Sequence, residues 1–204
     1  MNAMDDSISD PRAARSKRAL IAAATQLLDT HDLEQLSITQ VVASAGVTRP
    51  TFYQHFPGLS ELASAAAVAR LDAEFTRHQP TSPASGEWQS RVEPLVRELL
   101  EHLASHRAFY RRVLHGARSG SAVNAAVDLV VRRILERSPL LDTVAGGDGA
   151  SDGDTEEIRD AVVIVSGGIV WLLGNWLGTS LTGRDSVATM AHRISVQVLR
   201  LAQA

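Results

Sequence analysis

Residues 37–56 read SITQVVASAGVTRPTFYQHF, and this stretch constrains the chain more than any other. Its punctuation predicts two short helices and a tight turn. The Ser37 hydroxyl is placed to accept a hydrogen bond from an orphan backbone N–H at the start of the first helix. Ile38, Val41, Val42 and Ala45 recur at helical spacing. Gly46 follows the last of them, where a helix end favours a left-handed residue. Thr48 is the second N-cap, and Pro50 falls in the first turn, where its missing N–H costs nothing. Phe52 and Phe56 are four apart and share one face. Arg49, Thr51, Tyr53, Gln54 and His55 are left for the other faces.

Two capped helices around such a turn are a helix-turn-helix pattern. An ordinary helical hairpin with a solvated second helix has the same frame. What separates the two is the outward set of Arg, Thr, Tyr, Gln and His, which suits phosphates and base edges.

The same residues closely resemble the DNA-binding motif of the tetracycline-repressor (TetR) family of bacterial regulators. The Ala45-Gly46-Val47 turn, the Thr48-x-x-Thr51-Phe52-Tyr53-x-His55-Phe56 helix and the supporting helix before it match in order and spacing. The resemblance covers about the first quarter of the chain and is weak beyond it. One departure stands out. The family often carries a lysine after the proline turn, near the DNA backbone, whereas this chain has Gly58-Leu59 after Pro57.

Charge gives the motif little general support. The net charge is −3, with 20 Lys and Arg against 23 Asp and Glu, so attraction to phosphates must come from a local surface. Within residues 11–58, Arg12, Arg15, Lys17, Arg18 and Arg49 face Asp29, Asp32 and Glu34. The Arg12–Arg18 cluster reads either as a solvated helix end or as a contact to the DNA backbone. There is no cysteine, which excludes disulfides and thiolate metal sites. The polar, acidic opening has no apolar run of the secretory kind, so a cytoplasmic protein is expected.

The expected architecture is all-α, with about nine helices in two parts. Residues 1–10 read as a disordered tail. Residues 11–58 form a three-helix, helix-turn-helix head. Residues 59–204 form a helical body, interrupted at 138–154 by a Gly- and Asp-rich flexible linker. A long helix begins at Ser60, and a helix over 87–105 contains Pro94, which implies a kink or a later start. The last helices cover about 155–180 and 186–202. Residues 161–183 carry no charge, which raises the question of a membrane span. Their glycines, Asn175 and several hydroxyls, and the lack of cationic flanks, favour a buried helix–helix interface instead.

No catalytic motif stands out. Glu98, His102 and His106 have a spacing that could hold zinc, but His106 falls where one helix should end, and a capping or solvated pair is the better reading. No metal and no cofactor are expected. Trp88, Phe109, Tyr110, Trp171 and Trp176 all lie in the body. Packing accounts for most of them, and a pocket wall is the alternative.

The resemblance implies a homodimer joined through its two C-terminal helices and an effector pocket in the body. For that pocket the candidates are Trp88, His102, Phe109, Tyr110, Arg112, Trp171 and Asn175. The expectation is therefore a sequence-specific DNA-binding transcriptional regulator, a ligand-responsive repressor on a palindromic double-stranded operator. In it, Arg49, Pro50 and Gln54 meet bases, while Thr39, Thr48, Thr51, Tyr53 and His55 grip phosphate, and Ser37 caps first and touches phosphate second. A ligand-independent DNA-binding protein, or a helical metal protein or enzyme, are the competing classes.

Overall fold

The computed structural model describes residues 11–77, 88–116, 120–137 and 152–201. The tail 1–10 and most of the 138–154 linker lie outside the described residues. Among the described residues the fold is all-helical: α1 (Pro11–Leu28), α2 (Ile38–Ala45), α3 (Arg49–His55), α4 (Leu59–Arg77), α5 (Trp88–Ser105), α6 (Arg107–Gly116), α7 (Ser121–Arg137), α8 (Asp152–Trp176) and α9 (Val187–Leu201). Short 3-10 turns sit at Leu33–Gln35 and Gly183–Asp185.

The apolar spacing of α1 buries Leu20, Ala24 and Leu28 against α2 and α4. α4 leaves the head and runs into the body, where it packs on α7; α7 in turn packs on α8, and α9 lies along α5. One contiguous apolar core joins the parts, from Leu20 in α1 to Val198 in α9.

Three local expectations shift. α4 begins at Leu59, so Ser60 lies inside the first turn, and its carbonyl accepts the Ser64 hydroxyl at 2.8 Å. α5 is continuous from Trp88 through Pro94, whose ring faces outward, so there is no later start. α8 starts at Asp152, within the expected linker, and ends at Trp176, earlier than the apolar run suggested. Its last carbonyls are closed locally, by the Gly178 N–H on Asn175 and the Thr179 N–H on Trp176, and the buried Trp176 indole donates to the Asp185 carbonyl at 2.6 Å. No helix among the described residues is long and apolar enough to cross a membrane.

A crossbar helix fixes the head to the body. α6 reaches the end of α8 through Arg107, whose Nε donates to the Leu177 carbonyl at 2.6 Å. At its other end Gly116 abuts the head, where an added Cβ would lie 2.6 Å from the Leu33 Cβ. Only glycine allows that approach.

Candidate DNA-reading surface

The α2–turn–α3 unit is held by short-range polar contacts and two aromatic anchors. The Ser37 hydroxyl accepts the Gln40 N–H at 3.2 Å, while the Gln40 side-chain oxygen accepts the Ser37 N–H at 2.9 Å. This is a reciprocal capping box. Gly46 ends α2 at φ 65°, in the left-handed region, and its N–H bonds back to the Ala43 and Val42 carbonyls. A Cβ there would meet nothing within 4 Å, so the glycine is needed for its backbone angle and not for space. Thr48 caps α3 by accepting the Thr51 N–H at 3.3 Å, and the two hydroxyls lie 2.9 Å apart. Phe52 is fully buried and Phe56 nearly so, which pins one face of α3 to the core. The Phe52 ring meets Tyr53 edge-on at 5.4 Å.

These contacts decide what remains outside. Arg49, Pro50, Tyr53 and Gln54 are exposed on α3, with Tyr53 at 54%. Arg49 has no hydrogen bond or ion pair to another described residue. Thr51 and His55 are half-buried at the edge of the same face. Ser37, Thr39 and Thr48 are exposed on the neighbouring surface. The Ser37 hydroxyl already donates to the Gln40 oxygen at 2.8 Å, so capping takes up its donor.

The charges of the head are separated by the length of α1. Arg15, Lys17 and Arg18 are exposed near its start with Arg12, and no acidic residue occupies its first turn. Cations at a helix N-terminus oppose the helix dipole, so nothing local favours them there. The acids sit at the far end, about 25 Å away along the helix axis. There Asp29 receives Arg70 of α4 at 2.7 Å, and Asp32 receives Arg112 of α6 at 3.0 Å. Two of the three head acids are thus matched by arginines of the body. The near-balance of residues 11–58 understates the positive charge at the free end.

Arg112 does more than pair. Its NH1 donates to the Leu28 carbonyl at 3.1 Å and to the Asp29 carbonyl at 2.7 Å, the orphan acceptors at the end of α1. No glycine follows α1, and a side chain more than eighty residues later closes it.

Of the seven residues expected around an effector, the six with described side chains do not share one cavity. His102, Phe109 and Tyr110 come together: the Tyr110 hydroxyl lies 3.0 Å from His102 Nε2, and Phe109 packs edge-on to Tyr110 at 5.1 Å. His102 Nδ1 lies 3.2 Å from the buried Glu74 carboxylate. Burial, then the nearby His106, lower the His102 pKa from 6.5, so the ring is held neutral. Burial raises that of Tyr110. The His102 and His106 rings are 4.5 Å apart, with His106 at the break between α5 and α6. Arg112 faces the head. Trp171, 68% exposed, and Asn175 lie on the outer face of α8. The Trp88 side chain is outside the described residues.

Comparison with known proteins bears on the head first. Residues 20–66, from α1 into α4, match the model of the bacterial regulatory proteins of the tetR family. The HTH-type transcriptional regulator EthR of Mycolicibacterium smegmatis (strain ATCC 700084 / mc(2)155) is 31% identical over 85 residues, which cover 36% of this chain and 39% of EthR. The match therefore spans about two-fifths of that relative's length. A TetR transcriptional regulator from Rhodococcus sp. RHA1 superposes on the whole fold with a TM-score of 0.58 at 20% identity, covering 93% of this chain and 97% of that one.

The head of this chain is similar to the DNA-binding heads of the tetR family.

A second solved structure, the dihydroxyacetone kinase operon activator DhaS, superposes with a TM-score of 0.52 at 16% identity, covering 92% of this chain and 96% of DhaS. At such identities the likeness is one of fold. It extends the TetR architecture over the body, where the sequence alone carried little resemblance.

Several residues that matter here were not among those singled out from the sequence. Gln40 had a local signal, the Ser-x-x-Gln spacing of a capping box. Arg70, Glu74 and Gly116 had none, because their partners lie in other helices.

Proposed function

We propose that this chain is a TetR-family, sequence-specific DNA-binding transcriptional regulator that binds a palindromic operator as a homodimer and releases it in response to a small effector. The observation that carries this reading is the outward face of α3. Arg49, Pro50, Tyr53 and Gln54 are exposed together on a helix whose opposite face is anchored by Phe52 and Phe56. Arg49 is unpaired among the described residues, and its planar fork matches guanine O6 and N7. Gln54 reads a second base edge, and Pro50 packs on a thymine methyl. Thr39, Thr48, Thr51, Tyr53 and His55 hold phosphate and set the register. The basic start of α1 supplies further phosphate contacts.

Dimerisation follows from α8. Ile164 and Trp171 are seven residues apart and share a face; they are 73% and 68% exposed, and exposed Gly168 lies between them. An added Cβ at Gly168 or Gly174 would meet nothing within 4 Å, which leaves room for close approach of a second copy. Burying the two large side chains favours association by roughly 1.5–3 kcal/mol each. α9 adds a smaller share beside it. Two heads then meet successive major grooves about 34–36 Å apart. An effector acts by favouring a body conformation with a different head spacing. Repression follows when the operator overlaps a promoter.

A selection from random double-stranded oligonucleotides tests the core of the proposal. The expected product is a palindromic consensus bound by a species of twice the chain mass in sedimentation equilibrium. Arg49→Ala should weaken the selected site by about 1–3 kcal/mol and relax one base position per half-site. An unenriched pool, or binding by the monomer alone, rejects the reading.

A further inference from the structure

Two apolar cavities lie side by side in the body. The first, about 100 Å³, is lined by α4, α5, α7, α8 and α9. The second, about 80 Å³, lies toward α6. Leu71, Leu103, Val130 and Leu173 line both, so a wall one side chain thick divides them. Leucine and valine side chains can change rotamer, and their rotation would join the two into one elongated space. Walls this apolar offer water too few partners to hold it, which suits an apolar guest.

The first cavity has one charged lining residue, Arg133 of α7. Its NH2 donates to Asp72, its NH1 donates to Glu136 at 2.7 Å, and its guanidinium carbon lies 5.7 Å from the centre of the Phe75 ring. Arg132 pairs with the same two carboxylates, at 3.4 and 4.0 Å. Two arginines therefore balance two acids. What is left over is one hydrogen-bond donor: the Arg133 Nε–H is buried and has no partner among the described residues. A buried unmet donor in a native fold asks for an acceptor. A carboxylate would bring an uncompensated charge to an already neutral cluster, at a desolvation cost. A neutral carbonyl oxygen would satisfy the donor without that cost.

We propose that these cavities take an uncharged, elongated apolar molecule with a single carbonyl oxygen. Its hydrocarbon body crosses the Leu71–Leu103–Val130–Leu173 wall, and its oxygen accepts from Arg133 Nε–H. The inference rests on the reading that the body senses an effector, and it names the chemical class of that effector. It also moves the site away from His102, Trp171 and Asn175.

The test is calorimetric titration of the full chain with 2-octanone and with octanoate, without DNA. The ketone should bind saturably, one per chain, and about tenfold more tightly than the acid at pH 7.5. Arg133→Lys keeps a cation between Asp72 and Glu136 and removes the Nε donor. It should weaken the ketone about fivefold, the worth of one hydrogen bond. Leu173→Phe fills the shared wall and should reduce ketone binding at least about tenfold, with circular dichroism confirming the fold of both variants. Octanoate binding as tightly as the ketone, or ketone binding indifferent to Leu173→Phe, overturns the proposal. Absent ketone binding in protein that still selects an operator overturns it too and leaves the DNA-binding reading intact. Ketone binding that leaves the operator complex unchanged supports the site and removes the effector role.

Discussion

The head and the body are held by polar contacts of different reach. In the head, Ser37 meets Gln40, Thr48 meets Thr51, and the Asp32 N–H donates to the Gln35 side chain, each pair three residues apart. In the body, Arg133 reaches Asp72, Arg107 reaches Leu177 and His192 reaches Glu93, pairs 61 to 99 residues apart. Local pairs form as soon as their own helix forms, so the shape of the reading surface depends little on the rest of the chain. Long-range pairs exist only when the helices are docked. The junction belongs to the second kind: Arg70 on Asp29, Arg112 on Asp32 and on the end of α1, Gly116 against Leu33. The same helix that closes α1 also holds the end of α8 through Arg107. The junction contacts thus give the body helices a short mechanical connection to the head.

The largest test of this contrast is Phe52→Ala. Phe52 is wholly buried beneath the reading face, and its truncation should cost about 3–5 kcal/mol in chemical denaturation. If the head is a local unit, hydrogen exchange should rise across α1–α3 while α5 and α9 keep their protection. Uniform loss of protection would show that the two regions fold as one.

Arg112→Ala should cost less, about 1–3 kcal/mol, because partly exposed Asp32 contributes little and the loss is mainly that of two carbonyl contacts. Its signature is positional. Amide exchange should rise around residues 28–36 and leave α3 unchanged. Altered exchange within α3 would contradict a rigid reading unit. Smaller again is Gly46→Ala, expected at about 1–2 kcal/mol, since the φ of 65° is unfavourable for alanine while its Cβ has open space. A melting temperature equal to that of the parent would mean the turn relaxes freely, and the local frame would be softer than its hydrogen bonds imply.

The same contrast explains what could be read from the chain. Ser37, Gly46, Thr48, Pro50, Phe52 and Phe56 each declare themselves within four residues, and all sit where their chemistry placed them. The all-helical class follows from apolar periodicity, again a local property. Arg112 illustrates the opposite case. In sequence it is one arginine among many in the body; its role as the cap of α1 depends on how two distant helices meet. Trp171 was an aromatic in a hydrophobic run, but periodicity does not say which neighbour a helix face will meet, and this face points outward. The Arg133 donor is equally silent, because being unsatisfied is a property of the packed state.

The smallest expected effect concerns His102, where a buried neutral ring joins Glu74 to Tyr110 across α4, α5 and α6. Its pKa lies below 6.5 in the folded chain, chiefly through burial. The unfolded chain therefore takes up a proton near pH 6.5 before the folded one does. Its contribution to stability is complete above that pH and is lost as the pH falls from there through the lowered folded value. The melting temperature should fall between pH 7.5 and 5.5, and His102→Gln, which does not titrate, should flatten that fall without abolishing the fold. The loss should appear first at the α4–α6 contacts, and the capped α2–α3 unit should keep its protection over the same range. A His102→Gln variant with the full pH dependence would assign the titration elsewhere and leave Tyr110 and Glu74 as a static buried pair.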